Sequence, residues 1–156
     1  MVKIAFIYGK QLSSTLTQFF TGSSCYHVGF TDGEHFWDMN LIRRRRLWPL
    51  YPEERVLLAE CPVDVSAEHL DHMLDTDEAT YGWLDYLLFA LRPLYHLLGA
   101  NTRNAGGKIC SEQVTDDLQA NGWVVRFDEV PAPADLELKI FGIKNAISKI
   151  KRGRTV

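Results

Sequence analysis

The stretch from Cys25 to Asn40 constrains this chain more than any other. Cys25-Tyr26-His27-Val28-Gly29-Phe30-Thr31 and Glu34-His35-Phe36-Trp37-Asp38-Met39-Asn40 are two runs rich in β-forming residues, separated by Asp32-Gly33. An Asp-Gly pair between such runs is a strong hairpin signal, because both residues tolerate the left-handed backbone of a tight turn. With Asp32 and Gly33 as the central turn residues, His27 lies directly opposite Asp38, and Val28 opposite Trp37. Opposed side chains share a face with Cβ atoms roughly 4.5–5.5 Å apart, close enough for a carboxylate to hold an imidazole. A slip of one residue sends Asp38 to the other face and brings Trp37 or Met39 to His27, so the pairing depends on register.

The flanking segments predict a sheet with helices around it. Val2–Tyr8 reads as a first strand, and Leu12, Leu16, Phe19 and Phe20 recur at helical spacing, which predicts a short helix over 13–21. Arg43 to Arg46 form a run of four arginines, which reads as a solvated loop or edge strand with its stems on the surface, or else as a rim for an anionic substrate. Val56–Ala59 is another strand candidate, and Ser66-Ala67-Glu68 opens a helix reaching to about Leu74. His69 and His72 lie one turn apart on it, but no third ligand cluster stands near them in the sequence, so no metal is expected. Residues 78–98 form a broad apolar helix bent or broken at Pro93. Trp123–Phe127 reads as a short strand, and Pro131-Ala132-Pro133 leads into a last helix on which Leu136, Ile140, Ile143, Ile147 and Ile150 repeat.

At 156 residues and 46% hydrophobic content the chain suits one domain with a true core. Cys25, Cys61 and Cys110 make an odd set without paired spacing, which argues against a disulfide framework and for a reducing compartment. The apolar run at the N-terminus is too short for a signal sequence. The longest one, 81–100, is broken by Asp85, Arg92, Pro93 and His96, so no transmembrane helix is expected. A cytoplasmic or particle-associated protein is the expectation. Residues 1–138 hold eleven basic against twenty acidic residues, whereas 139–156 hold six basic and no acidic ones. That asymmetry suggests docking of the tail on the domain, or an anionic surface or partner helix as its target. No specific nucleic-acid partner is expected.

Cys110 opens a second informative stretch. Cys110, Val114 and Leu118 recur at helical spacing, Cys110 or Ser111 can cap the helix, and Asn121-Gly122 supplies its stop. A thiol at a helix N-terminus sits at the positive end of the dipole, and its own backbone N–H can serve a developing oxyanion. Nucleophilic catalysis by cysteine needs a histidine to move the proton and a third group to orient it. His27 and Asp38 supply both in this chain.

Gly9-Lys10 with a helix ending Phe19-Phe20-Thr21-Gly22-Ser23, then Tyr26-His27-Val28-Gly29-Phe30, an aromatic-acid strand, and Ile109-Cys110-Ser111-Glu112 opening an amphipathic helix together resemble the circularly permuted papain-like group of the NlpC superfamily. This is the YaeF/YiiX type, related to the lecithin:retinol acyltransferases. The resemblance covers most of residues 4–138, including Tyr81-Gly82-Trp83, and implies an α+β papain-like fold with a small antiparallel sheet packed against helices. It implies a catalytic domain over 1–138, with 139–156 as a basic amphipathic helix and tail outside it. Carried over, Cys110 is the nucleophile, His27 the general base and Asp38 the third polar residue. That third residue is commonly Glu or His in the group and lies beyond a longer turn, so Glu34 and His35 stand as alternatives to Asp38. Glu112 reads as a structural acid of the helix N-terminus, and Tyr81 approaches the cleft by analogy.

The expected function is that of a cysteine peptidase or amidase acting on cell-wall peptide or a similar amide bond, with no cofactor. The alternatives are a lipid acyltransferase or thiol esterase of the lecithin:retinol type, and an inactive binding or structural module.

Overall fold

Five strands build one antiparallel sheet in the order β4-β3-β2-β1-β5, with helices packed on it, an α+β architecture. The computed structural model describes residues 1–9, 24–40, 42–49, 55–76, 91, 94–99 and 108–142. The strands are β1 Lys3–Tyr8, β2 Cys25–Thr31, β3 His35–Asn40, β4 Ile42–Leu47 and β5 Arg55–Glu60, and the helices are α1 Ala67–Thr76, α2 Cys110–Ala120 and α3 Pro133–Phe141. The helix expected over 13–21, nearly all of that over 78–98, and Tyr81 lie outside the described residues.

β1 is an inner strand, flanked by β2 and β5, and is therefore apolar on both faces. Ile4, Phe6 and Tyr8 point to the helix side, where they meet Val28, Phe30 and Trp37 of the sheet and Leu70, Val114, Leu118 and Leu136 of the helices. Ala5 and Ile7 point the other way and join Phe36 in a smaller cluster bordered by Tyr26, Trp48 and Val56. The period of two in the strands thus sorts the side chains into a main core and a second, thinner one.

The hairpin forms with a register different from the expected one. Phe30 pairs with Trp37 and Thr31 with Phe36, two residues away from the pairing that a two-residue turn would impose. The extra length is held by side chains. Asp32 Oδ1 accepts from the backbone N–H of Glu34 at 2.8 Å and of His35 at 2.7 Å, and Thr31 Oγ1 accepts from Gly33 N–H and donates to the His35 carbonyl. Only Gly33 needs the left-handed region, at φ 100°. A shift of two preserves which face each residue occupies, so the consequence for His27 and Asp38 is a change of distance along the strands only.

The four arginines form the edge strand β4, one of the two expected forms, with Arg43 buried, Arg45 exposed and each contacting a carboxylate (below). Two further expectations give way. Trp123–Phe127 pairs with no described strand, and the Val125 N–H turns back to the Trp123 carbonyl at 3.1 Å; Trp123 and Phe127 pack partly against the main core while Val124 is exposed. Four apolar residues and Arg126 do not by themselves make a strand, which forms only by pairing with a neighbour. The last helix stops at Phe141, where Gly142 takes a left-handed φ of 70° and closes the helix through its N–H to the Leu138 carbonyl. Lys139 is thus part of the same helix as Leu136, and residues 143–156 lie outside the described set.

Candidate active site

α2 carries the candidate nucleophile as its first residue. Ile109 is the N-cap, rather than Cys110 or Ser111, and the Glu112 carboxylate accepts from the Ile109 N–H at 3.4 Å, half of a capping box. Glu112 is therefore the structural acid that its position suggested. Ser111 donates its hydroxyl to the Pro131 carbonyl at 2.6 Å, tying the helix start to the segment that leads into α3. The first N–H groups of a helix have no acceptor within it, and the Cys110 N–H is among them.

α2 packs across β2 and β3, which brings Cys110 to the hairpin. The β2–β3 ladder covers only two residue pairs, so His27 and Asp38 lie beyond its end. There the Cys110 side chain comes close enough to the His27 imidazole to shift its pKa. His27 Nε2 is 2.7 Å from Asp38 Oδ2, with both side chains almost wholly buried. A carboxylate accepts only, so Nε2 carries the proton. Chain positions 27, 38 and 110 are thus brought into one connected set.

Glu34 and His35 do not compete with Asp38. Glu34 is exposed at the hairpin loop, and the His35 ring leans on Trp37 with Nδ1 3.4 Å from Asp32. By strand alternation His35 belongs to the face opposite that of His27 and Asp38.

The Asp38 carboxylate is held from β4 as well. β3 and β4 pair Asp38 with Arg44 and Phe36 with Arg46, which sets Arg44 and Arg46 on the Asp38 face. Arg44 Nε donates to Oδ1 at 3.0 Å and Arg46 Nη2 to Oδ2 at 2.5 Å. Arg43 and Arg45 face the helices. Arg43 Nη2 contacts both Asp117 carboxylate oxygens of α2, at 2.9 and 2.8 Å, and Arg45 shares Asp71 of α1 with the Trp37 indole. The alternation of one arginine run therefore sets two guanidiniums on the Asp38 carboxylate on one face of the sheet and docks two helices on the other. Sequence reasoning missed these roles, although with the β3–β4 register in hand Arg44 is readable as the residue facing Asp38.

Electrostatics follow from these contacts. Burial alone would discharge the imidazole, but the charge of Cys110, the hydrogen bond and charge of Asp38 and the contact with the Cys110 side chain prevail, and the His27 pKa rises to about 10. Burial likewise opposes the Asp38 charge, yet His27, Arg44 and Arg46 hold that carboxyl below its ordinary value. The other two thiols are unlike this one. Burial pushes Cys25 well up, with Glu137 and Cys110 adding to the effect, and burial beside Glu60 and Asp64 pushes Cys61 up to about 11.

Gly29 explains the glycine of the His-Val-Gly stretch. A Cβ there would fall 2.5 Å from the Trp37 carbonyl oxygen and 2.7 Å from the Phe36 ring. The bare Cα lets Phe36 lie over β2, and its ring stands edge-on to His27 at 6.1 Å between centroids. A small pocket beside Cys110 and Asp38 is lined also by Phe30, Trp37, Arg43 and Asp117, and His27 is not among its lining residues. Among the described residues, no group of three or more His, Cys, Asp or Glu side chains could hold a metal ion, and no helix is long and apolar enough to cross a membrane. Comparison with models of known families and with curated proteins finds no match to this chain.

Proposed function

We infer that the chain is a cysteine hydrolase of amide bonds, a peptidase or amidase with a circularly permuted papain-like fold of the NlpC type, acting on cell-wall peptide or a similar acyl-amine linkage. The observation that carries this reading is the contact chain from Cys110 through His27 to Asp38, with the sulfur at a helix N-terminus. In the proposed cycle His27 takes the thiol proton and the Cys110 sulfur adds to the carbonyl carbon. The Cys110 backbone N–H donates to the resulting oxyanion. The imidazolium returns its proton to the leaving amine as the C–N bond breaks, leaving an acyl-enzyme. His27 then accepts a proton from water, hydroxide adds to the thioester, and the acid departs as the thiol is restored. Asp38 keeps the ring oriented throughout and offsets its charge.

The test is to incubate wild-type protein and Cys110→Ala with digested sacculi and read the products by mass spectrometry. New cleavage products from wild type alone support the reading, and identical product sets from both proteins end it.

A second reading, acyl transfer to or from a lipid by the same thiol, draws on Leu94, Leu97 and Leu98, which are exposed close together along the chain. Co-sedimentation with vesicles that requires residues 139–156, together with a lipid acyl product, would favour it.

A further inference from the structure

The geometry points to Arg44 and Arg46 as positioning residues for His27: together they grip both oxygens of Asp38 and so fix the carboxylate that orients the imidazole toward Cys110. This rests on the reading of Cys110 and His27 as nucleophile and base. A buried carboxylate with one imidazole partner could rotate about its Cβ–Cγ bond and offer either oxygen, or neither, to the ring. Here Arg44 Nε occupies Oδ1 at 3.0 Å and Arg46 Nη2 occupies Oδ2 at 2.5 Å, beside the His27 bond of 2.7 Å. The Asp38 side chain has no solvent exposure, so few waters can substitute for a lost donor.

The two arginines are themselves held. Both lie on β4, whose pairing with β3 sets Arg44 opposite Asp38 and Arg46 opposite Phe36. The Arg46 guanidinium also lies over the Phe36 ring, 5.7 Å from its centroid, and that ring in turn stands against His27. Asp38 is thus clamped by a neighbouring strand rather than by loop contacts.

Charge follows the same geometry. Against His27 and Cys110 stand Asp38 from β3, Arg44 and Arg46 from β4, and, toward α3, the Tyr8, Cys25 and Glu137 cluster, where the Tyr8 hydroxyl donates to Glu137 Oε1 at 2.6 Å. Within this set the two guanidiniums offset the Asp38 charge.

The experiment uses the full chain and two readouts that a purely structural role would leave alone. The first is the pH profile of Cys110 alkylation by iodoacetamide, followed by mass spectrometry of the Cys110 peptide. The second is the downfield proton resonance of the buried His27 Nε2–H, assigned by its loss in Asp38→Asn. In Arg44→Gln and Arg46→Gln the pH profile of Cys110 alkylation departs from that of wild type, most when both are replaced, and the Nε2–H resonance shifts or broadens. Arg46→Lys, which keeps the charge and a donor, stays close to wild type. Folded Gln variants whose profile and resonance both match wild type overturn the proposal, even where the melting temperature falls. If the double variant does not fold, the single ones decide. If wild-type Cys110 alkylates no faster than Cys61, the nucleophile reading has failed, and the clamp is then judged on the Nε2–H resonance alone.

Discussion

His27 Nε2 lies 2.7 Å from Asp38 Oδ2 as a diagonal contact of the β2–β3 hairpin, past the end of the ladder that joins the two strands. The imidazole is thereby gripped at one nitrogen, beside the thiol that α2 delivers. Each property expected of the site follows from that grip.

Cys110 should be the reactive thiol of the three. Cys25 is fully buried with its pKa pushed up, and Cys61 is pushed up to about 11, whereas Cys110 lies at a helix N-terminus beside the His27 imidazole. At pH 7 iodoacetamide should modify Cys110 at least about tenfold faster than either other cysteine in the folded protein. Peptide mapping after timed quenching measures this, and equal rates at Cys110 and Cys61 would count against the mechanism.

Asp38→Asn should lower hydrolysis by roughly 10²–10⁴-fold while leaving the fold intact. An amide can offer its NH₂ to the ring and so select the wrong tautomer. Glu34→Gln and His35→Gln should stay near wild type, since neither side chain contacts His27. Activity of the three variants on the same substrate, with circular dichroism as the folding control, separates them.

Stability should carry a signature of the His27 proton. The folded pKa of about 10 lies above the ordinary 6.5, so protonation is favoured by folding. The associated stabilisation is fully present below about pH 6.5, declines as the pH rises above it, and is spent beyond about pH 10. The melting temperature of wild type should therefore fall across this window more steeply than that of His27→Gln. Parallel curves for the two proteins would refute the assignment.

The Arg43–Asp117 pair tests how α2 is seated against β4. Both side chains are almost fully buried, at 3% and 2% exposure, and burial raises the Asp117 carboxyl despite Arg43 and Gln113. Arg43→Met alone should cost about 3–5 kcal/mol, because it strands a buried carboxylate. Arg43→Met with Asp117→Leu should recover most of that loss, as apolar replacement of a whole buried pair often does. Urea denaturation of the single and double variants reads the difference.

Gly29→Ala should destabilise by about 1–3 kcal/mol, since a Cβ would overlap both the Trp37 carbonyl and the Phe36 ring. Phe36 rests against His27, so Cys110 alkylation should slow in the same variant. Unchanged stability would mean that Phe36 and β3 yield more readily than their packing suggests.

Local pattern determined a good deal of this protein. The β-rich runs about Asp32-Gly33 specify a hairpin, helical spacing from Cys110 to Leu118 specifies α2, and the alternation of side chains along a strand puts His27 and Asp38 on one face. That last point survives an incorrect register because a shift of two residues leaves every side chain on its side of the sheet. Only the tertiary structure decided the rest. The contact between Cys110 and His27, the grip of Arg44 and Arg46 on Asp38, and the burial of Arg43 against Asp117 join elements distant in sequence, and no period in the chain encodes which charges will meet. Trp123–Phe127 had the composition of a strand and became a connector for the same reason, since a strand exists only where another offers its edge, and that is settled when the whole sheet assembles.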